Sequence, residues 1–344
     1  MSFFKELFKK KKTPTQLVNR AIFELNVISG KTESDAPKKL LHRLEQMKDY
    51  LNPPDEKEPI LEKCNELGKA FIDEHLTIMF LNNFSLLTQE EINAFVTVYI
   101  CLITQDYSHF ASEYMLSPDG AQIFQMMFDG YKNPLLAVHC GSMIRECIKK
   151  RELHNYLLTH DLLLQPLFEE YCQNPNFDIA SDAFLTIHEL LRKNKSLISQ
   201  RLAPPSELYT HVFTWYATLI QSPIYITQRQ SLKLLGEFLL DKVNFDIMMY
   251  YICDINNLKT IMSVLRNPSP AIQFEAFHVF KVFVANPRKP AQIISVLVSN
   301  QQKLVSFLQN FLEDKVDDDQ FLEEKRLLIA TLQHLTAPKQ SSNH

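Results

Sequence analysis

Four segments of this chain can be laid under one another: AVHCGSMIRECI, IASDAFLTIHELL, RQSLKLLGEFLL and FEAFHVFKVFV. Each places a small residue (Cys140, Ala183, Ser231, Ala276) ahead of large apolar residues at helical spacing, and the small residues lie 43, 48 and 45 positions apart. Those intervals bracket the roughly 40 to 47 residue period of HEAT and armadillo repeats. A small residue at a fixed place in the innermost helix of each repeat lets the neighbouring helix approach closely. Units that stack only on their neighbours imply an all-α, armadillo/HEAT-like helical repeat solenoid, a curved rod with a concave binding face.

The last segment shows what such a helix must touch. In SPAIQFEAFHVFKVFVANP, phenylalanines stand at 274, 277, 280 and 283. A step of three falls short of a full turn by about 60°, so these rings sweep about half the circumference instead of lining one stripe. Ile272, Ala276, Val279 and Val284 fill the same arc, leaving a seam of His278 and Lys281 with Phe274 between them. The helix needs neighbours on at least two sides. Ser269 stands where an N-cap belongs, Pro270 suits the first turn, and Asn286-Pro287 stops the run.

Further helix-like stretches fill the chain: TPTQLVNRAIFELNVI, APKKLLHRLEQMKDYL, EEINAFVTVYICLI and GAQIFQMMF before Tyr131, and LISQRLA and LKTIMSVL between the repeats. Pro53-Pro54, Pro118-Asp119-Gly120 and Pro204-Pro205 mark bends. No linker long enough to divide domains is seen. The expected organisation is a flexible basic terminus over 1–12, one helical repeat domain over 13–337 and a disordered tail over 338–344. The terminus MSFFKELFKKKK is read as solvated, with membrane-surface or nuclear-import use as its alternative.

Composition removes several function classes. Only six glycines are present, too few for folds made of many tight turns and phosphate loops, and the net charge of -4 gives no general attraction to nucleic acid. The six cysteines (64, 101, 140, 147, 172, 253) sit in apolar helical patterns with no C-x-x-C spacing, the signature of reduced, buried thiols. No apolar run reaches the roughly 18 residues of a membrane span, and no signal peptide is visible. The expected compartment is the cytoplasm, with the nucleus and sites of polarised growth as further locations.

Catalytic and metal-binding motifs are equally scarce. No Gly-rich phosphate loop, H-E-x-x-H, G-x-S-x-G or EF-hand loop occurs. His139, Cys140 and Cys147 lack the second pair that would complete a metal site, and read as packing. Asp178 and Asp182 stand one turn apart like paired catalytic carboxylates, but Asp178 reads better as a helix cap. The expectation is a protein that is not an enzyme and needs no cofactor or metal.

On YITQRQSLKLLGEFLL, Tyr225, Arg229, Lys233 and Gly236 fall within about 80° of one another, opposite Ser231, Leu232, Leu234, Leu235, Phe238 and Leu239. That face has two readings: a surface for an acidic or polar protein partner, with Arg229 and Tyr225 as anchors, or an ordinary solvated face. Phe274 likewise reads as a ligand contact or as a boundary residue.

YITQRQSLKLLGEFLLDKVNFDIM, NLKTIMSVLR and IQFEAFHVFKVFVANP, with FDIASDAF, MIRECI and KTPTQLV, resemble the calcium-binding protein 39 scaffold family, the Mo-type and fungal Hym-type proteins. The resemblance is most specific from about Leu135 to Leu308. Despite the family name no calcium loop is present. The resemblance implies a horseshoe-like array that binds and activates sterile-twenty or germinal-centre-type kinases and related pseudokinases. In animals such scaffolds hold a pseudokinase with a tumour-suppressor kinase; in fungi they serve polarity and cell-separation networks. It implies a concave contact with the kinase's regulatory αC helix through Tyr225, Arg229, Lys233 and Phe245, with Lys242 where an arginine is usual. It implies a second pocket for a Trp-Glu-Phe-like tail at Met262, with Ser299 where a lysine is common. Lys303, four residues on, and Lys259, one turn before Met262, are the candidate replacements for that charge. The alternative is a helical-repeat adaptor for extended peptides with no effect on kinases. A monomer or weak dimer is expected, without nucleic acid.

Overall fold

The computed structural model describes residues 12–30, 35–54, 58–313 and 318–336, and every regular element among them is helical. Two compact units divide the chain, residues 1–194 and 195–344. The expected basic arm, Lys12 excepted, and the expected tail from 338 lie outside the described residues.

Unit 1 runs α1 (Pro14–Ser29), α2 (Ala36–Leu51), α3 (Leu61–Asp73), α4 (Leu76–Asn83) and α5 (Gln89–Gln105). It continues through α6 (Pro118–Asp129), α7 (Ala137–Lys149), α8 (Arg151–Thr159), α9 (Gln165–Glu169) and α10 (Phe177–Arg192). The motif KTPTQLV starts α1 with a capping box: Thr13 Oγ1 accepts the Gln16 amide, and the Gln16 side chain accepts the Thr13 amide. Helices α2, α5, α7 and α10 pack successively, each against the next, and form the inner row. Cys140 on α7 and Ala183 on α10 are buried in that row, as the repeat requires. A Cβ at Gly130 would run into Cys140 Sγ, so even at this small residue the backbone of the preceding turn comes close.

Two expectations for unit 1 change. The cap of α10 is Asn176, whose Oδ1 accepts the amides of Asp178 and Ile179 at 2.9 and 3.3 Å. Asp178 is exposed in the first turn, where it still meets the positive helix end. Pro118 opens α6 instead of marking a bend with Gly120, which is buried within that helix.

Unit 2 runs α11 (Lys195–Arg201), α12 (Glu207–Ile220), α13 (Tyr225–Leu240), α14 (Phe245–Tyr251) and α15 (Ile255–Val264). It ends with α16 (Pro270–Ala285), α17 (Ala291–Ser299), α18 (Gln301–Gln309) and α19 (Asp319–Gln333). Helices α13, α16 and α19 form its inner row. The phenylalanine sweep finds its neighbours: α16 packs on α13, α15 and α19, with Phe277, Phe280 and Phe283 fully buried. The seam is where α19 arrives. Phe274 lies 5.5 Å from the Phe321 ring, and Glu324 receives Lys281 at 2.7 Å and His278 at 3.8 Å. Ser269 flanks α16 without a side-chain cap bond; its own amide is held by Asn267 Oδ1 at 2.9 Å.

Candidate partner-binding face

Helix α13 is fixed on its buried side by more than hydrocarbon. Leu232, Leu234, Leu235, Phe238 and Leu239 are buried, and at the repeat position Ser231 the small side chain lets Tyr216 of α12 reach the backbone, its hydroxyl donating to Ser231 O at 2.8 Å. Gln228 donates to Ile220 O at 2.9 Å and accepts from Asn267 at 3.1 Å, tying the start of α13 to the loops on either side. A helix held this firmly presents its outer residues in a set direction.

Those outer residues are the expected ones, with one exception. Tyr225 is 46% exposed, the Arg229 side chain is 46% exposed, and Lys233 is exposed at the next turn. Gly236 is not on the open face. It is buried near Val279 of α16, and a Cβ there would meet Val279 at an ordinary 3.8 Å. Arg229 Nε lies 3.7 Å from Glu275 Oε1 of α16, a single long contact that leaves much of the guanidinium in solvent. Phe274, beside Glu275, is half-buried against α19, a boundary position.

Beyond α13 the chain makes a short turn that displays the next two candidates. Asp241 accepts the Val243 amide at 3.2 Å and binds Lys195 Nζ at 2.6 Å; buried Asn244 donates to Phe238 O at 2.9 Å. Held by these bonds, Lys242 is exposed and Phe245 is 50% exposed at the first residue of α14.

The second candidate group is looser. Lys259 and Met262 lie on α15, which packs on α17, whose last residue is Ser299. Lys259 and Ser299 are exposed, Met262 is half-buried, and Ser299 Oγ donates to Ser295 O at 2.7 Å. Lys303 does not share a helix face with Ser299. The helix breaks at Asn300, and Lys303 belongs to α18.

Two features had escaped the sequence. One is a buried ion pair in unit 1: Arg145 of α7 meets Asp182 of α10 at 2.8 and 2.9 Å, while Tyr131 donates to Asp182 at 2.8 Å. Asp182 lies on the same side of its helix as buried Ile179, Ala183 and Thr186; an acid in an apolar stripe was the available signal. The second is a cavity of about 460 Å³ in unit 2 that has Phe245 in its wall. Burial pushes the Cys140 and Cys147 thiols up to about 12, so neither is a thiolate at neutral pH. Among the described residues no group of three or more His, Cys, Asp or Glu is placed to hold a metal ion. None of their helices is long and apolar enough to cross a membrane.

A family model described as Mo25-like matches residues 3–336. The chain belongs to the Mo25-like family. It is 37% identical to a human protein named calcium-binding protein 39-like, over 96% of this chain and 98% of that one. A Caenorhabditis elegans relative, MO25-like protein 2, is 34% identical over 96% of this chain and 99% of its own. The Mo25-like protein of Schizosaccharomyces pombe is 40% identical over 65% of this chain and 66% of its own. Membership supports a scaffold or adaptor role.

Proposed function

We propose that this protein is a non-catalytic scaffold that binds a sterile-twenty or germinal-centre-type kinase, or a related pseudokinase, and favours its active conformation in polarity and growth signalling. The observation that carries the reading is the α13 face: Tyr225, Arg229 and Lys233 stand exposed on a helix whose opposite side, from Ser231 to Leu239, is buried, and the pinned turn after it adds Lys242 and Phe245. Two aromatics among three cations, on a rigid support, form the kind of anchor set that dominates interface energetics and selects an acidic partner.

An active kinase needs its Lys to Glu ion pair, which requires the αC helix swung inward. A rigid surface that contacts only the inward form shifts the population by its differential affinity. A coupling of about 1 to 3 kcal/mol raises the active fraction by roughly five-fold to a hundred-fold. Met262, with Lys259 one turn away, offers a second contact for a Trp-Glu-Phe-like tail, the cation meeting the tail's acid in place of the lysine that Ser299 replaces.

The test is activation of a panel of recombinant kinases of this type by the wild-type protein and by Arg229→Ala. Loss of activation in a folded variant supports the reading. An adaptor for extended peptides would leave the activity of every kinase unchanged with or without the scaffold.

A further inference from the structure

The cavity in unit 2 lies between α14, the end of α16 and α19. Its volume of about 460 Å³ falls in the range of roughly 300 to 1,000 Å³ typical of small-molecule sites. Met248 and Met249 line it together with Leu240, Ile252, Val282 and Leu328, and methionine adapts to differently shaped apolar bodies. Leu327, on the rim, is 62% exposed.

Three charged side chains line the space: Lys281, Glu324 and Arg288. Lys281 and Glu324 neutralise one another at 2.7 Å. Arg288 is exposed and has no ion pair among the described residues. Its backbone is held in place, since Asn286 Oδ1 accepts the Arg288 amide at 2.9 Å and Lys289 Nζ caps Asn286 O at 2.7 Å. The cavity therefore presents one uncompensated positive charge at the edge of an apolar chamber. A cation is repelled there, a neutral body gains nothing from the guanidinium, and a dianion brings a second charge that no further unpaired cation of the lining meets.

We infer that this cavity is a binding site for a small monoanionic amphiphile, with its apolar body among the methionines and its carboxylate or equivalent group on Arg288. Phe245 belongs also to the proposed kinase face, but the inference does not rest on that face and its test uses no kinase.

The test uses the full chain and the dye 8-anilinonaphthalene-1-sulfonate, an apolar ring system with one sulfonate. The expected result is a saturable fluorescence rise that decanoate reverses and that decanol reverses about tenfold less well, the margin of a charge-assisted hydrogen bond. Arg288→Gln weakens decanoate about tenfold and removes its advantage over decanol. Ala285→Trp, at an exposed helix-end position on the cavity wall, fills the space and abolishes dye binding. Circular dichroism of both variants checks that they fold. The inference is overturned if the dye shows no saturable binding, if decanol competes as well as decanoate with wild type, or if both folded variants bind like wild type.

Discussion

The two units solve the same packing problem with opposite chemistry. In each, one repeat carries an acid just before its small residue: Asp182 before Ala183 in unit 1, Glu275 before Ala276 in unit 2. Asp182 meets Arg145, which stands five residues after Cys140 on the preceding row helix, in a bidentate pair whose side chains are 14% and 7% exposed. At the matching place after Ser231 stands Gly236, so Glu275 has no such cation and is reached instead by Arg229 at 3.7 Å from the outer side. After Ala276 the place is taken by Lys281, which meets Glu324 at 2.7 Å. Unit 2 thus has no side chain at Gly236 to match Arg145 or Lys281, and Arg229 lies on the exposed side of that helix. Unit 1 uses Arg145 to close its stack; unit 2 leaves Arg229 half in solvent.

The largest effect should come from breaking the closed junction. Arg145→Ala leaves Asp182 buried without a counter-charge, and chemical denaturation should show a loss of about 3 to 5 kcal/mol. Gly141→Ala comes next. A Cβ there would run into Asp182, Tyr131 and Arg145 together, atoms that cannot yield without surrendering their bonds, and overpacking of this kind costs about 2 kcal/mol.

Acid should find the same unit. Burial pushes His154 down from the ordinary 6.5 to about 4, its Nδ1 held by the Asn194 amide at 3.1 Å. The unfolded chain therefore binds more protons between those values. The stabilisation is whole above 6.5, declines as pH falls below it, and is lost near 4. Between pH 7 and pH 5 this amounts to about 2 kcal/mol. Hydrogen exchange should show amides of unit 1 losing protection over that span, and His154→Gln should flatten the dependence. Gly236→Ala sharpens the contrast with Gly141, since its Cβ meets only Val279 at 3.8 Å. Replacing a mid-helix glycine should stabilise by up to about 1 kcal/mol in the same denaturation assay.

How much of this the sequence displayed follows from the range of each interaction. The recurrence of Cys140, Ala183, Ser231 and Ala276 and the sweep of Phe277, Phe280 and Phe283 are local patterns, and both lie where periodicity puts them. Tyr225, Arg229 and Lys233 were legible because one helix's periodicity decides their exposure. Gly236 was misplaced for the converse reason: its angle along α13 points near Arg229, but α16 covers that end of the helix. The Arg145 and Asp182 pair spans 37 residues, so no single-helix pattern pairs them. The cap at Asn176 and the break at Asn300 turn on which of several adjacent polar residues the backbone selects, a choice that spacing alone leaves open.

The smallest structural change falls on the proposed partner face. Arg229→Ala should shift stability by no more than about 0.5 kcal/mol, because the side chain is half in solvent and its contact to Glu275 is long. The decisive measurement is to follow denaturation and kinase activation on the same preparation of this variant, across the panel of sterile-twenty and germinal-centre-type kinases. The expected result is an unaltered melt with activation lost for every kinase that the wild-type protein activates. An unaltered melt with activation intact would contradict it.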